Sequence, residues 1–158
     1  MMNLYKIVKR SFDIFFALFG LVLLSPIILL SYIVAAFETL SNGFFVQQRV
    51  GMNGYVFSVV KIKTMKSLAG ENSTITSSND VRITKSGIFF RKTKIDELPQ
   101  LWNVLIGQMS FVGPRPDVPG YADRLQGKDR VILSVRPGIT GPAQLTYRLS
   151  LIHISEPT

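Results

Sequence analysis

From Ile14 to Phe37 the chain carries no charged side chain. As a helix that run would measure about 36 Å, against a hydrocarbon core of about 30 Å. A secretory signal fits poorly, because the run exceeds the usual apolar region of about 7–15 residues and no small-residue cleavage site follows. A plain spanning helix is the default reading, and two features oppose it. Ser25-Pro26 lies mid-run, where proline removes a backbone hydrogen bond and kinks a helix. Both flanks are basic: Lys6, Lys9 and Arg10 precede Asp13, and Arg49, Lys61, Lys63 and Lys66 follow the run. Positive segments prefer the cytoplasmic side. A helix that breaks at Ser25-Pro26 and returns to the same leaflet satisfies both flanks, and a straight span does not.

Ser41-Asn42-Gly43 ends the apolar run. Phe44 to Arg49 and Tyr55 to Lys63 are rich in aromatic and β-branched residues and flank Gly51-Met52-Asn53-Gly54, which predicts a β-hairpin with an Asn-Gly turn. Lys61 and Lys63 then share one strand face, which would either meet phosphates or protect a solvated edge. Ser67 to Asn79 is polar and reads as a loop. The short stretches Asp80 to Thr84 and Gly87 to Phe90 lead into Arg91-Lys92-Thr93-Lys94-Ile95-Asp96-Glu97-Leu98-Pro99. Leu98, Leu101, Trp102 and Leu105 fall at i, i+3, i+4 and i+7, the spacing of a buried helical face. Since Pro99 is tolerated only near a helix start, a helix is predicted from about Asp96. Asp96 and Glu97 would then occupy its first turn, where free N–H groups hold a carboxylate ionised or hold a phosphate. The alternative is a capping Asp96 beside a solvated Glu97. Arg115 lies between Pro114 and Pro116: either little entropy is lost when its guanidinium grips an anion, or the segment is a rigid turn carrying an exposed Arg. Arg136 opens a second rigid turn, Arg136-Pro137-Gly138. Ala122 to Val135 predicts a short amphipathic helix.

Composition narrows the chemistry. The 158-residue chain fits one domain and carries a net charge of +8, so its partners are anionic: nucleic acid, a membrane surface or a phosphorylated substrate. With no Cys and a single His, His153, disulfide scaffolds, thiolate zinc sites and multi-histidine metal clusters are excluded. Neither a Walker loop nor a dinucleotide fingerprint occurs.

Several segments together resemble the bacterial sugar transferases of the monotopic phosphoglycosyl transferase family. They are the basic start with Ser25-Pro26 in an apolar helix, Gln48-Arg49-Val50-Gly51, Lys61-Ile62-Lys63-Thr64-Met65, Ile95 to Asn103, Phe111 to Pro116 and Arg136 to Gly141. The resemblance covers the chain from about Tyr5 to Arg148, in the family's order. It implies an α/β (α+β) protein, with a re-entrant membrane helix over residues 1–40 and a catalytic domain over 41–148 on the cytoplasmic face of the bacterial inner membrane. It further implies transfer of a sugar-1-phosphate from a nucleotide diphosphate sugar, a UDP-sugar in particular, to polyprenyl (undecaprenyl) phosphate, initiating glycoconjugate synthesis. Asp96 matches the family's nucleophile, and Glu97 its partner associated with Mg2+. Arg91, Arg115 and Arg136, with Lys61 and Lys63, become candidates for holding substrate phosphates. Membrane lipids are implied partners, nucleic acid is not, and a homo-oligomer is allowed.

One departure stands out. Residues 149–158 are expected not to be family sequence, and a further acidic, aromatic-containing C-terminal segment is expected to be missing, so activity is expected of a completed chain. Two readings from other classes remain: a membrane-anchored nucleic-acid-binding module using the basic hairpin, and a secreted protein with an uncleaved signal anchor. The first predicts salt-dependent binding to DNA or RNA and indifference to Asp96. The second predicts a protease-accessible domain outside the cell.

Overall fold

A computed structural model describes residues 2–66, 80–120 and 127–141. The stretch Ser67 to Asn79, the start of the predicted helix at Ala122 and the tail with His153 lie outside them. The first element, α1, is a long helix, Met2–Thr39, unbroken through Pro26. Proline has no N–H to give the carbonyl four residues back, that of Val22. The Ser25 hydroxyl donates to that carbonyl instead, at 2.8 Å, which is why a Ser-Pro pair is tolerated mid-helix.

The predicted hairpin is present: β1 (Phe44–Val50) pairs antiparallel with β2 (Val56–Ile62). Asn53 and Gly54 both take positive φ, as an Asn-Gly turn requires. After it come α2 (Lys85–Thr93), a 3-10 turn at Ile95–Glu97 and α3 (Gln100–Ile106). Two short parallel strands, β3 (Ser110–Val112) and β4 (Gly138–Thr140), complete the described fold.

Two corrections concern helices. The helix expected from about Asp96 begins at Gln100. Lys94 takes a left-handed conformation at φ 63°, ending α2 and starting a separate tight turn that holds both acids. Of the expected buried face only Leu101 is fully enclosed; Trp102 is 53% exposed, and Asn103 and Val104 point inward instead. In its described part, the predicted helix ending at Val135 is a 3-10 helix, Gly127–Ser134. Val131 and Ile132 are exposed there and only Leu133 is buried, so no apolar stripe exists to stabilise an α-helix.

The core is shared between α1 and the rest. Ala17 packs with Phe57, Val59, Val104 and Met109, while Ala35 packs with Ile62 and Phe90. Polar contacts follow the same helix face. Asp13, 3% exposed, accepts from Ser110 Oγ at 2.9 Å and Phe111 N at 3.4 Å. Lys9 reaches Ser110 Oγ and the Val112 carbonyl. Arg10 holds the carbonyls of Val104 and Leu105 at 2.6 and 2.8 Å, placing a cation on the C-terminal end of α3. Glu38, near the other end of α1, accepts from the Ser86 amide and hydroxyl at the start of α2. So Lys9 and Arg10, read from sequence only as topology signals, also fasten the helix to the domain.

Asn103 closes the open edge of β2. Its Nδ2 donates to the Ser58 carbonyl at 2.8 Å and to Gln108 Oε1 at 2.7 Å, and its Oδ1 accepts from Val60 N at 3.3 Å. It acts as a one-residue strand, 1% exposed. Asn103→Ala is expected to lower stability by about 2–3 kcal/mol, because partly buried groups on three residues lose a partner. Urea unfolding of purified protein reads this directly, and a change under 0.5 kcal/mol (about the size of a neutral surface substitution) would refute it.

Candidate active site

The hairpin register decides which side chains reach the cleft. Arg49 lies opposite Phe57, Gln47 opposite Val59 and Phe45 opposite Lys61, so all six side chains share one face. Phe57 and Val59 enter the core, and Lys61, at the end of their row, emerges beside the acidic turn. Its Nζ donates to Glu97 Oε1 at 3.0 Å. Lys63 lies beyond the strand and donates to Ser41 Oγ at 2.8 Å. The two lysines thus take different partners, Glu97 and Ser41.

Helix α2 brings Arg91 toward Asp96. Thr84 caps the helix, accepting from Gly87 N at 3.0 Å, and Arg91 Nε donates to Thr64 Oγ1 at 2.9 Å. The 3-10 turn then presents Asp96 and Glu97 half-buried. Asp96 Oδ1 is fully enclosed and has no hydrogen-bond donor. Burial, and then the Glu97 charge, push the Asp96 carboxyl above its ordinary range, while Lys61, Lys94 and Arg91 pull the other way without cancelling. Burial pushes Glu97 up as well, but Lys61, by charge and hydrogen bond, with Lys94 and Arg115, brings it below its ordinary range. Neighbouring acids driven apart in this way suit two different chemical roles.

The opposite wall is the Pro114-Arg115-Pro116 turn. Its approach depends on glycine: a Cβ on Gly138 would lie 2.1 Å from the Gly113 nitrogen. Exposed Arg115 stands at the rim without a hydrogen-bond partner among the described residues. Arg49 is fixed beside it, donating to the Pro116 carbonyl at 3.1 Å and to Gln47 Oε1 at 2.6 Å. Between the walls lies an open cleft lined by Lys61, Glu97, Gln100, Arg49 and Arg115.

Of the expected residues, Lys61, Glu97 and Arg115 line the cleft; Asp96, next to Glu97, and Arg91, whose charge acts on Asp96, are not among its lining residues. Arg136 is not among the cleft's lining residues: its Nε donates to the Gly107 carbonyl at 2.8 Å, at the C-terminal end of α3 near Arg10. Ser25 and Pro26 belong to α1 and are not among the cleft's lining residues. Arg49 and Gln100 had not been assigned to the site. The hairpin register could have placed Arg49, since its partner Phe57 precedes the Val59–Lys61 row.

Among the described residues no group of three or more His, Cys, Asp or Glu side chains is placed to hold a metal. The adjacent carboxylates, one with an orphaned buried oxygen, nevertheless fit Mg2+, which is commonly bound by one or two carboxylates together with substrate phosphates.

The sequence profile described as bacterial sugar transferase matches residues 4–157. The chain is 42% identical, over 90% of its length and 70% of the relative's, to an uncharacterized sugar transferase, EpsL, of Bacillus subtilis (strain 168). It is 41% identical, over 87% of its length and 30% of the relative's, to a UDP-glucose:undecaprenyl-phosphate glucose-1-phosphate transferase of Klebsiella pneumoniae. It is 34% identical, over 91% of its length and 35% of the relative's, to a UDP-N-acetylgalactosamine-undecaprenyl-phosphate N-acetylgalactosaminephosphotransferase of Aeromonas hydrophila. It thus spans about a third of the last two. With the acidic turn, its cationic cleft and a long apolar helix all inside the matched region, the chain belongs to the bacterial sugar transferase family.

Proposed function

We propose that this protein transfers a sugar-1-phosphate from a UDP-sugar to undecaprenyl phosphate through a covalent intermediate on Asp96. The observation that carries the reading is the half-buried Asp96–Glu97 pair beside a cleft that Glu97 lines together with Lys61 and Arg115. An ionised carboxylate is a competent nucleophile toward phosphorus and splits the transfer into two steps. Lys61, Arg91 and Arg115 offset the charge of the diphosphate, so that two anions can meet. Glu97, and Asp96 before it reacts, would hold Mg2+, which supplies further charge neutralisation at the phosphates. The names of the relatives support the donor and acceptor classes.

The test is incubation with a panel of UDP-sugars, undecaprenyl phosphate and Mg2+, scoring nucleoside monophosphate release. With donor and no acceptor, intact-protein mass spectrometry should find one sugar phosphate added at Asp96. Release without any adduct would favour direct transfer.

We also propose that both ends of α1 lie on the cytoplasmic side of the inner membrane. Contacts from Lys9 to Glu38 bind one domain over about 44 Å of helix. A straight span would draw that domain into hydrocarbon. Large apolar side chains such as Phe19, Leu23 and Leu30 cover the outward face and suit burial in one leaflet. Pro26 is where the helix can bend into that leaflet and return, giving the re-entrant shape. Single cysteines at Asn3 and Asn53 should both resist an impermeant thiol reagent in intact cells and both react after permeabilisation. Labelling of one alone before permeabilisation would establish a straight span.

A further inference from the structure

We infer that Thr64 is a positioning residue for the transfer: its hydroxyl holds the Arg91 guanidinium in place beside Asp96 and leaves the far edge of that guanidinium open to a phosphate. The inference rests on the reading above, in which Arg91 offsets phosphate charge, and adds to it the group that sets where that charge stands.

Thr64 lies just past the end of β2 and is buried, at 6% exposure. It grips α2 at both ends. Its carbonyl accepts from the amide of Thr84, the residue that caps α2, at 3.0 Å. Its hydroxyl accepts from Arg91 Nε, in the last turn, at 2.9 Å. The helix lies directly against it, since a Cβ on Gly87 would come 2.4 Å from the Thr64 carbonyl oxygen and 3.0 Å from its Cβ. The hydroxyl is thus fixed by close packing, and the branched Cβ restricts its rotation further. A guanidinium bonded through Nε keeps its Nη1 and Nη2 donors as a two-pronged edge. In Arg91 those donors make no hydrogen bond among the described residues.

Arg91 has a choice of acids. Asp96 and Asp80 both feel its charge. Asp80 is already met by Arg82, through Nε at 2.9 Å, Nη2 at 2.6 Å and the backbone amide at 3.0 Å. A long arginine side chain without a tether would sample both neighbourhoods, and ordering it on substrate would oppose binding. The Thr64 hydroxyl removes that freedom beforehand, which is how a group that touches no substrate can raise the rate of transfer. Valine has nearly the shape of threonine and lacks the oxygen, so the tether can be cut with the packing kept.

The test uses the whole chain in lipid nanodiscs and times nucleoside monophosphate release in a single turnover of UDP-sugar with undecaprenyl phosphate. Thr64→Val should slow release about tenfold, the size of a coupling between residues in direct contact. Thr64→Ser, which keeps the hydroxyl, should recover most of the lost rate. In an Arg91→Gln background Thr64→Val should have no further effect, to within about twofold, because Thr64 acts through Arg91 alone. Equal losses in both backgrounds, or Thr64→Ser as slow as Thr64→Val, would make Thr64 a packing residue and overturn the inference. A second readout needs no Thr64 variant to fold. In proton–nitrogen spectra the Arg91 Nε–H, assigned by its loss in Arg91→Gln, should exchange with water more slowly than that of exposed Arg115; equal exchange also overturns the inference. Adduct mass is scored in parallel. Release without adduct removes the covalent step and leaves the Thr64–Arg91 coupling standing, and no release from the wild type overturns the proposed function while the exchange rate still reports on the tether.

Discussion

Asp96→Asn is expected to abolish sugar-phosphate transfer, by about a thousandfold or more, as loss of a covalent nucleophile does. The substitution keeps the shape of the side chain inside the 3-10 turn and removes the charge that attacks phosphorus. It should leave the fold intact, and the sign of the ionisation shift says more. The Asp96 carboxyl is raised in the folded protein by burial and by Glu97. The folded state therefore binds that proton more tightly than the unfolded chain does. Stability is lost as pH rises from the unfolded value through the folded one. At neutral pH the Asn variant should then melt no lower than wild type, and it should melt higher if the charge strains the turn. In the wild type, adduct formation should rise with pH along an acid limb lying above the ordinary Asp value of 3.8. Single-turnover mass spectrometry across pH measures both amount and rate of adduct. Normal turnover with Asn at position 96 would remove the nucleophile from the mechanism and leave Asp96 as a local structural acid.

Arg115→Lys is expected to lower kcat/KM for the UDP-sugar by about a hundredfold, comparable with losing one donor to developing charge. The charge remains, but the planar fork that meets two phosphate oxygens is lost. Arg115 is exposed at the rim and makes no hydrogen bond among the described residues, so thermal melting should be nearly unchanged. The proline on either side fixes the backbone in both proteins, which confines the difference to the side chain. Near-normal kcat/KM in the Lys variant would assign Arg115 to the turn alone.

How much of this could be read from sequence depended on whether a residue's role is set locally. Asp96-Glu97 after a run of cations, the Asn-Gly hairpin and the apolar run with Ser25-Pro26 are local patterns, and each of these elements is present in the fold. Arg49 escaped because its role depends on which residue lies across the hairpin, and register becomes visible only when both strands are paired. Arg136 looked like an anion holder because an arginine beside a proline gives no sign of what it faces; it faces the Gly107 carbonyl. Trp102 fitted the helical spacing, but that spacing assumed a helix beginning four residues too early. The left-handed Lys94 and the tight turn after it shift the inward face to Asn103 and Val104. Lys94 is not glycine or asparagine, so nothing in its identity announces that conformation.

The spread of α1 over two of the hydrophobic clusters bears on modularity. Ala17 and Ala35 each sit at zero exposure, one in either cluster, and the buried Asp13 carboxylate receives a hydroxyl and an amide from the strand after α3. The helix is therefore no interchangeable tether. A chain starting at residue 41 would face water with Phe57, Val59, Ile62 and Phe90 stripped of their cover, and with the Val104 and Leu105 carbonyls deprived of Arg10. Exchanging the segment for an unrelated transmembrane anchor would restore attachment and leave those surfaces open. On the topology proposed above, insertion of α1 into the bilayer and covering of these two clusters would be one event.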